Sequence, residues 1–236
     1  MGRLSDILKD QMGIDTKKSQ KSLTSKENDH WRQVNQPIET APEHYSQKEV
    51  IRRFQIISKK INPDFKIDNN NKSLIEFLCL YFSKDVLIEE RFPKYSIHKG
   101  LLIVGNCGTG KTQMLKIFKE VVKYLPTQAF FMTSTNQVVR DFDSNGSGSL
   151  TPYIDRKYCF DDFGSENQAK HYGKSEEVFK TILEDRYNKF IDTGLKTYIT
   201  SNLNLLQIKQ RYGDRVNSRL FEMFNIIVLE GNDRRI

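Results

Sequence analysis

The segment Gly105-Asn-Cys-Gly-Thr-Gly-Lys111-Thr112 constrains this 236-residue chain more than any other. It follows an apolar run at 101–104 and precedes a stretch that puts Met114, Leu115, Phe118, Val121 and Val122 on one helical face. Strand, glycine-rich turn and buried helix therefore come in the order a phosphate-binding loop requires. Gly105, Gly108 and Gly110 let successive backbone N–H groups turn toward phosphate oxygens, and the positive end of the following helix adds to the field. Lys111 offers a point charge to the β- and γ-phosphates of a nucleotide such as ATP, and Thr112 a hydroxyl to Mg²⁺. Asn106, Cys107 and Thr109 complete the candidate nucleotide-binding stretch.

Around this segment, short apolar runs alternate with helical periodicity, the pattern of a parallel sheet with crossover helices. Strands are expected at 100–104, 128–133, 157–161, 196–200 and 225–229, and helices near 112–123, 136–142, 176–190, 205–211 and 215–224. The fold class is α/β, a three-layer sandwich around a five-stranded parallel sheet.

The first third of the chain is more polar. Leu4, Ile7, Leu8 and Met12 recur at helical spacing, and residues 15–45 read as a polar tether with Trp31 as its one large anchor. Ser46-Gln-Lys-Glu49 matches a capping box opening a helix to about residue 60, and a second helix is expected at 73–82. The division is thus 1–45 as helix and tether, a partner-binding candidate; 46–92 as a small helical attachment; and 93–236 as the core domain. The stretch 145–149, Asn-Gly-Ser-Gly-Ser, reads as a flexible loop.

Two further strand ends carry chemistry. Asp161 and Asp162 close the run Tyr158-Cys-Phe, where Asp161 can hold Mg²⁺ and Asp162 can orient the water that attacks the γ-phosphate. Asn202 ends Lys196-Thr-Tyr-Ile-Thr-Ser-Asn, placed to sense that phosphate.

A formal net charge of +7 favours polyanionic partners. Arg140, Arg156 and Lys157 are candidates for phosphate contacts and Phe142 and Tyr153 for base stacking on single-stranded DNA. Cys79, Cys107 and Cys159 are isolated and lack zinc-ligand spacing. Arg3, Asp6, Lys9 and Asp10 interrupt any signal-peptide core, and no apolar run approaches bilayer length, so a cytoplasmic protein without membrane spans is expected.

The combination of the phosphate loop with Cys159-Phe-Asp-Asp-Phe-Gly164, Asp185-Arg-Tyr-Asn188 and Ile199-Thr-Ser-Asn-Leu203 resembles the DnaC/DnaI/IstB group of AAA+ ATPases from about residue 100 onward. Gly213-Asp-Arg-Val216 is similar to that group's G-E-R-[IV]. Gly231-Asn-Asp-Arg-Arg235 is similar to its terminal G-x-S-x-R, with Asp233 where serine is usual. The resemblance implies an ATP hydrolase using ATP and Mg²⁺ that forms a homo-oligomer when ATP-bound. Arg215 would be the finger reaching a neighbour's ATP and Arg235 the sensor-2 arginine, with Arg219 and Arg234 as adjacent alternatives. The chain runs only seven residues past Leu229, so no helical lid is expected after the last strand. A helicase loader acting on single-stranded DNA and a replicative helicase is expected, with an IstB-like transposition helper as alternative. A small-molecule kinase is the alternative from another class, although no arginine-clustered lid insertion is visible.

Overall fold

A computed structural model describes residues 42–166, 169–171, 174–176 and 178–234. The Leu4–Met12 periodicity and Trp31 lie outside the described residues. In chain order the elements are α1 (Gln47–Ile61), α2 (Lys72–Ser83), α3 (Leu87–Arg91), β1 (Gly100–Val104), α4 (Lys111–Val122), β2 (Phe131–Ser134), α5 (Thr135–Asn145), α6 (Thr151–Asp155), β3 (Tyr158–Phe163), β4 (Ala169–His171), β5 (Lys174–Glu176), α7 (Val178–Thr193), β6 (Thr197–Ser201), α8 (Leu205–Met223) and β7 (Phe224–Val228).

Five strands form one sheet in the order β2-β3-β6-β1-β7, with every neighbouring pair parallel. Parallel pairing forces crossovers onto both faces, which explains why β1 is buried at every position. Alternation along β1 divides the core. Leu101 and Ile103 join α1, α2 and α4 in one apolar layer, and Leu102 and Val104 join α5, α7 and α8 in the other. Helices α1 and α2 share the core of the sheet through Phe118 of α4, on which Phe54 stacks at 5.2 Å and Phe82 at 5.1 Å.

The elements depart from sequence expectation where local hydrogen bonding wins. Strand β2 starts at Phe131, three residues late, because Gln128 and Ala129 both donate backbone N–H to Leu125 O and close a turn. Helix α7 starts at Val178, because Glu176 belongs to β5, half of an antiparallel hairpin with β4. Residues Ser147–Leu150 form a 3₁₀ turn in place of the expected flexible loop; Ser149 Oγ donates to Gly146 O at 2.7 Å and Leu150 is buried. At α1, Ser46 accepts from Glu49 N at 3.3 Å, but the Glu49 carboxylate pairs with Arg52 and Arg53 and does not return to the cap. The expected helices 205–211 and 215–224 join as α8, broken at Gly213, whose φ of 88° and ψ of 171° are a conformation reserved for glycine.

One buried cation ties the lower ends of these elements together. Arg186, from Asp185-Arg-Tyr-Asn188, is fully buried. It donates to Tyr153 O, to Ile154 O at 3.3 Å, to Arg156 O at 2.9 Å, to Lys196 O at 3.1 Å and to Thr197 Oγ1 at 2.7 Å. Burial lowers its pKa to about 10. A planar fork can satisfy this many carbonyls at once, which an ammonium cannot.

A candidate nucleotide site at the strand ends

The carboxyl ends of β1, β3 and β6 meet at one edge of the sheet, where open α/β folds place their ligands. The loop from Gly105 leads straight into α4, so Lys111 and Thr112 sit in its first turn. Lys111 is only 4% exposed. Its Nζ donates to Gly105 O and Asn106 O at 2.7 Å each, and to Asn202 Oδ1 at 2.8 Å. Asn202 Nδ2 in turn donates to Asp162 Oδ1 at 3.3 Å. The residues from three separate motifs thus form one chain: phosphate loop, β6 end, β3 end.

The aspartate pair owes its geometry to a bulge. The β3–β6 register slips between Phe160 and Phe163, so Asp161 and Asp162 together oppose the single Thr200. Thr200 Oγ1 donates to Asp161 Oδ1 at 2.6 Å and accepts from Asp162 N at 3.1 Å. Asp161 Oδ1 also accepts from Thr112 Oγ1 at 2.7 Å. Asp162 takes a φ of 60°, left-handed and uncommon outside glycine. In a regular strand consecutive side chains face opposite sides; the bulge turns both carboxylates toward the loop.

Asp162, Lys111, Thr112, Asn202, Cys107 and Gly108 line a cleft of about 310 Å³, together with Asn62, Gly110, Gln113 and Arg234. A recess of about 250 Å³ shares Asn62, Gly110, Gln113 and Arg234 and adds Phe65, Asp68, Asn71, Thr109 and Met114. A larger hollow of about 840 Å³ opens on the other side of the loop, between Leu205, Leu206 and Val228. It reaches Gly105, Asn106 and Asn202 but neither Lys111 nor an aspartate, so the smaller cleft is where phosphate chemistry can be done.

The residues fit a magnesium ion: a hydroxyl and a carboxylate oxygen stand 2.7 Å apart at the cleft. Among the described residues no trio of His, Cys, Asp and Glu gathers. Mg²⁺ is held by one or two protein oxygens plus substrate phosphates.

Other expected residues lie elsewhere. Arg215 and Arg219 both face Glu184, at 3.3 and 3.2 Å, and Arg215 is 72% exposed. Neither lines the cleft. Arg235 lies outside the described residues, whereas Arg234 lines both cleft and recess. Phe142 is buried in the core, so base stacking is closed to it. Tyr153 is half-buried and its hydroxyl donates to Asp141. Arg156 lies over the Phe131 ring, Lys157 donates to Thr127 O, and Arg140 donates to Gln137.

A second buried cluster, not anticipated from the sequence, joins the turn after β3 to α8. Glu166 accepts from Gly164 N at 2.8 Å and from the Tyr212 hydroxyl, while Arg211 donates to Gly164 O at 2.8 Å. This fastens the turn after β3 to the half of α8 that precedes Gly213. Its members are far apart in sequence, which hides the cluster.

The architecture is similar to that of solved DnaC and DnaI structures. The chain is similar to the crystal structure of the DnaC helicase loader, at 20% identity and a TM-score of 0.51, over 71% of this chain and 94% of that one. It is similar to a putative primosome component from Streptococcus pyogenes, at 17% identity and a TM-score of 0.53, over 81% and 100% of the two chains. For DnaI the values are 20% and 0.50, over 73% and 89%. No protein-family model and no curated protein matches the chain.

Proposed function

We propose that this chain is an ATP-binding AAA+ ATPase that assists DNA replication as a helicase loader, acting on single-stranded DNA and a replicative helicase. The observation that carries the nucleotide reading is the Lys111–Asn202–Asp162 chain of contacts beside the Thr112–Asp161 pair. Lys111 is held at the loop by two carbonyls, positioned to transfer its donors to β- and γ-phosphate oxygens. Thr112 and Asp161 would hold a Mg²⁺ ion, which would supply neutralisation of the phosphate charge. Asp162 orients the attacking water and accepts its proton, and Asn202 keeps that carboxylate in register with Lys111. Arg215 serves as the finger toward a neighbouring copy in an ATP-dependent oligomer; its exposure leaves it accessible for that role.

The replication role is supported by the fold shared with DnaC and DnaI. Residues 1–41 are proposed as the partner-binding arm. We draw its boundary before Glu43, short of the 1–45 expected, because Glu43 O accepts from Thr127 Oγ1 and Tyr45 packs under Arg53.

Steady-state ATPase assays of wild type and Asp162→Asn, each with and without single-stranded DNA, test the reaction. The wild type is expected to turn over slowly and to be stimulated by DNA. Equal, negligible rates in all four samples would remove the hydrolysis claim. For the partner, full-length protein should capture a replicative helicase that residues 42–236 do not; capture by both discards the arm.

A further inference from the structure

Three lysines gather at the edge of the sheet opposite the cleft. Lys157 and Lys196 immediately precede β3 and β6, and the pairing of Tyr158 with Thr197 sets them side by side. They also share a face, because the alternation that sends Cys159 and Tyr198 into the α2 layer sends Lys157 and Lys196 the same way. The third lysine comes from α2 itself. Lys196 Nζ lies 5.0 Å from the centre of the Tyr81 ring, and Lys84 stands one turn after Tyr81, at the left-handed residue that ends the helix.

No negative charge neutralises them. Lys157 donates to Thr127 O and Lys196 to Ile97 O, both uncharged carbonyls, and among the described residues no carboxylate pairs with any of the three. Like charges on neighbouring strands oppose folding. Burial, then Lys157 and Lys84, lowers the Lys196 pKa to about 8, and burial, then Lys84, lowers that of Lys157. An anion bridging the three offsets this repulsion.

The neighbouring side chains indicate which anion. Phe131 N donates to Lys157 O at 2.9 Å, and the Phe131 ring is 51% exposed. Tyr158 stacks on that ring at 5.3 Å, and the Arg156 guanidinium lies 5.6 Å from its centre. An open aromatic face beside a group of cations suits a chain that alternates phosphates with flat bases. An acidic peptide would use the charges and leave the ring idle.

We propose that Lys84, Lys157 and Lys196 form a second anion site, which holds the phosphate backbone of single-stranded nucleic acid while Phe131 offers a base its face. The inference rests on the single-stranded DNA reading above and gives it a location. The length of β3, about 15 Å, separates this site from Asp162 and the phosphate loop, so nucleic acid and ATP bind without competing.

The test is fluorescence anisotropy of a labelled oligothymidylate with the full chain at pH 7, titrated over a range of salt. Each single-strand phosphate contact contributes about −0.7 to the slope of log affinity against log salt, or about fivefold at 0.1 M. Lys84→Gln/Lys157→Gln/Lys196→Gln should flatten the slope by about 2 and bind about 100-fold more weakly at 0.1 M salt, with ATP affinity unchanged. Lys84→Gln alone, which disturbs no hydrogen bond or ion pair among the described residues, should lose about fivefold. Lys59→Gln/Lys60→Gln/Lys72→Gln removes the same charge from exposed positions and should bind as wild type does. Equal losses in the two triple variants reduce the effect to net charge and overturn the site. Wild-type affinity in Lys84→Gln and in the first triple variant overturns it too and leaves the DNA reading standing. Displacement by poly-glutamate as readily as by unlabelled oligonucleotide of equal charge overturns the nucleic-acid occupant. Failure of the wild type to bind at any salt overturns the DNA reading and this site together.

Discussion

Thr112 Oγ1 donates to Asp161 Oδ1 at 2.7 Å, across 49 residues of sequence, and Thr200 Oγ1 donates to the same oxygen at 2.6 Å. Two hydroxyls therefore fix one carboxylate oxygen at the mouth of the loop. Asp161→Asn keeps the size of the group and removes its charge. Nucleotide affinity measured by titration calorimetry should fall about tenfold or more with Mg²⁺ present and change little with Mg²⁺ chelated. An equal loss in both conditions contradicts a cation role.

Asp162 lends itself to separating backbone from side chain. Asparagine tolerates a left-handed φ, so Asp162→Asn should fold and bind ATP normally while hydrolysis falls about 100-fold or more. A β-branched residue does not tolerate it. Asp162→Val should be less stable than Asp162→Asn by about 1–2 kcal/mol in urea unfolding. Equal stability means that the strand end can relax without the bulge.

Lys196 gives a pH signature. Burial, with Lys157 and Lys84 nearby, lowers its pKa to about 8 from 10.5. A lysine whose folded pKa is depressed penalises the folded state while it is charged. The unfolded chain binds the extra proton between pH 8 and 10.5, so stability attributable to Lys196 rises through that window. The difference in unfolding free energy between wild type and Lys196→Met should shift in favour of wild type by about 2 kcal/mol from pH 8 to 10.5. A difference that stays flat with pH refutes it.

Gly213 separates the Glu166-bound half of α8 from the half bearing Arg215. Its backbone conformation admits no Cβ without strain, although nothing lies within 4 Å of where one would be. Gly213→Ala should therefore cost about 2 kcal/mol of stability through torsion alone, read from a shifted urea midpoint. A neutral effect implies that α8 can straighten at no cost.

The sheet was legible because a parallel strand buried on both faces writes itself as an uninterrupted apolar run, as Leu101–Val104 does. Helix α4 was legible because one face meets α1 and α2 and the other does not. The β4–β5 hairpin was not, since residues 169–176 read Ala-Lys-His-Tyr-Gly-Lys-Ser-Glu, a polar run with no sustained apolar alternation. At the site, the loop and the acidic strand end were readable because backbone geometry fixes their spacing. The left-handed turn at Asp162 was not, because the register between two distant strands creates it. Nor was the Asp68–Arg234 pair, 166 residues apart, which only the folded chain brings together. Arg186 was quoted as part of a motif, yet nothing local distinguishes an arginine on an exposed helix face from one whose guanidinium stitches three chain segments.

The stacking of Phe54 and Phe82 on Phe118 has a mechanical consequence. A pull on residues 42–61 does not dissipate in a linker; it loads the helix whose first turn carries Lys111 and Thr112 through three aromatic rings. Any displacement of α1 or α2 is therefore passed to the start of α4 by ring packing.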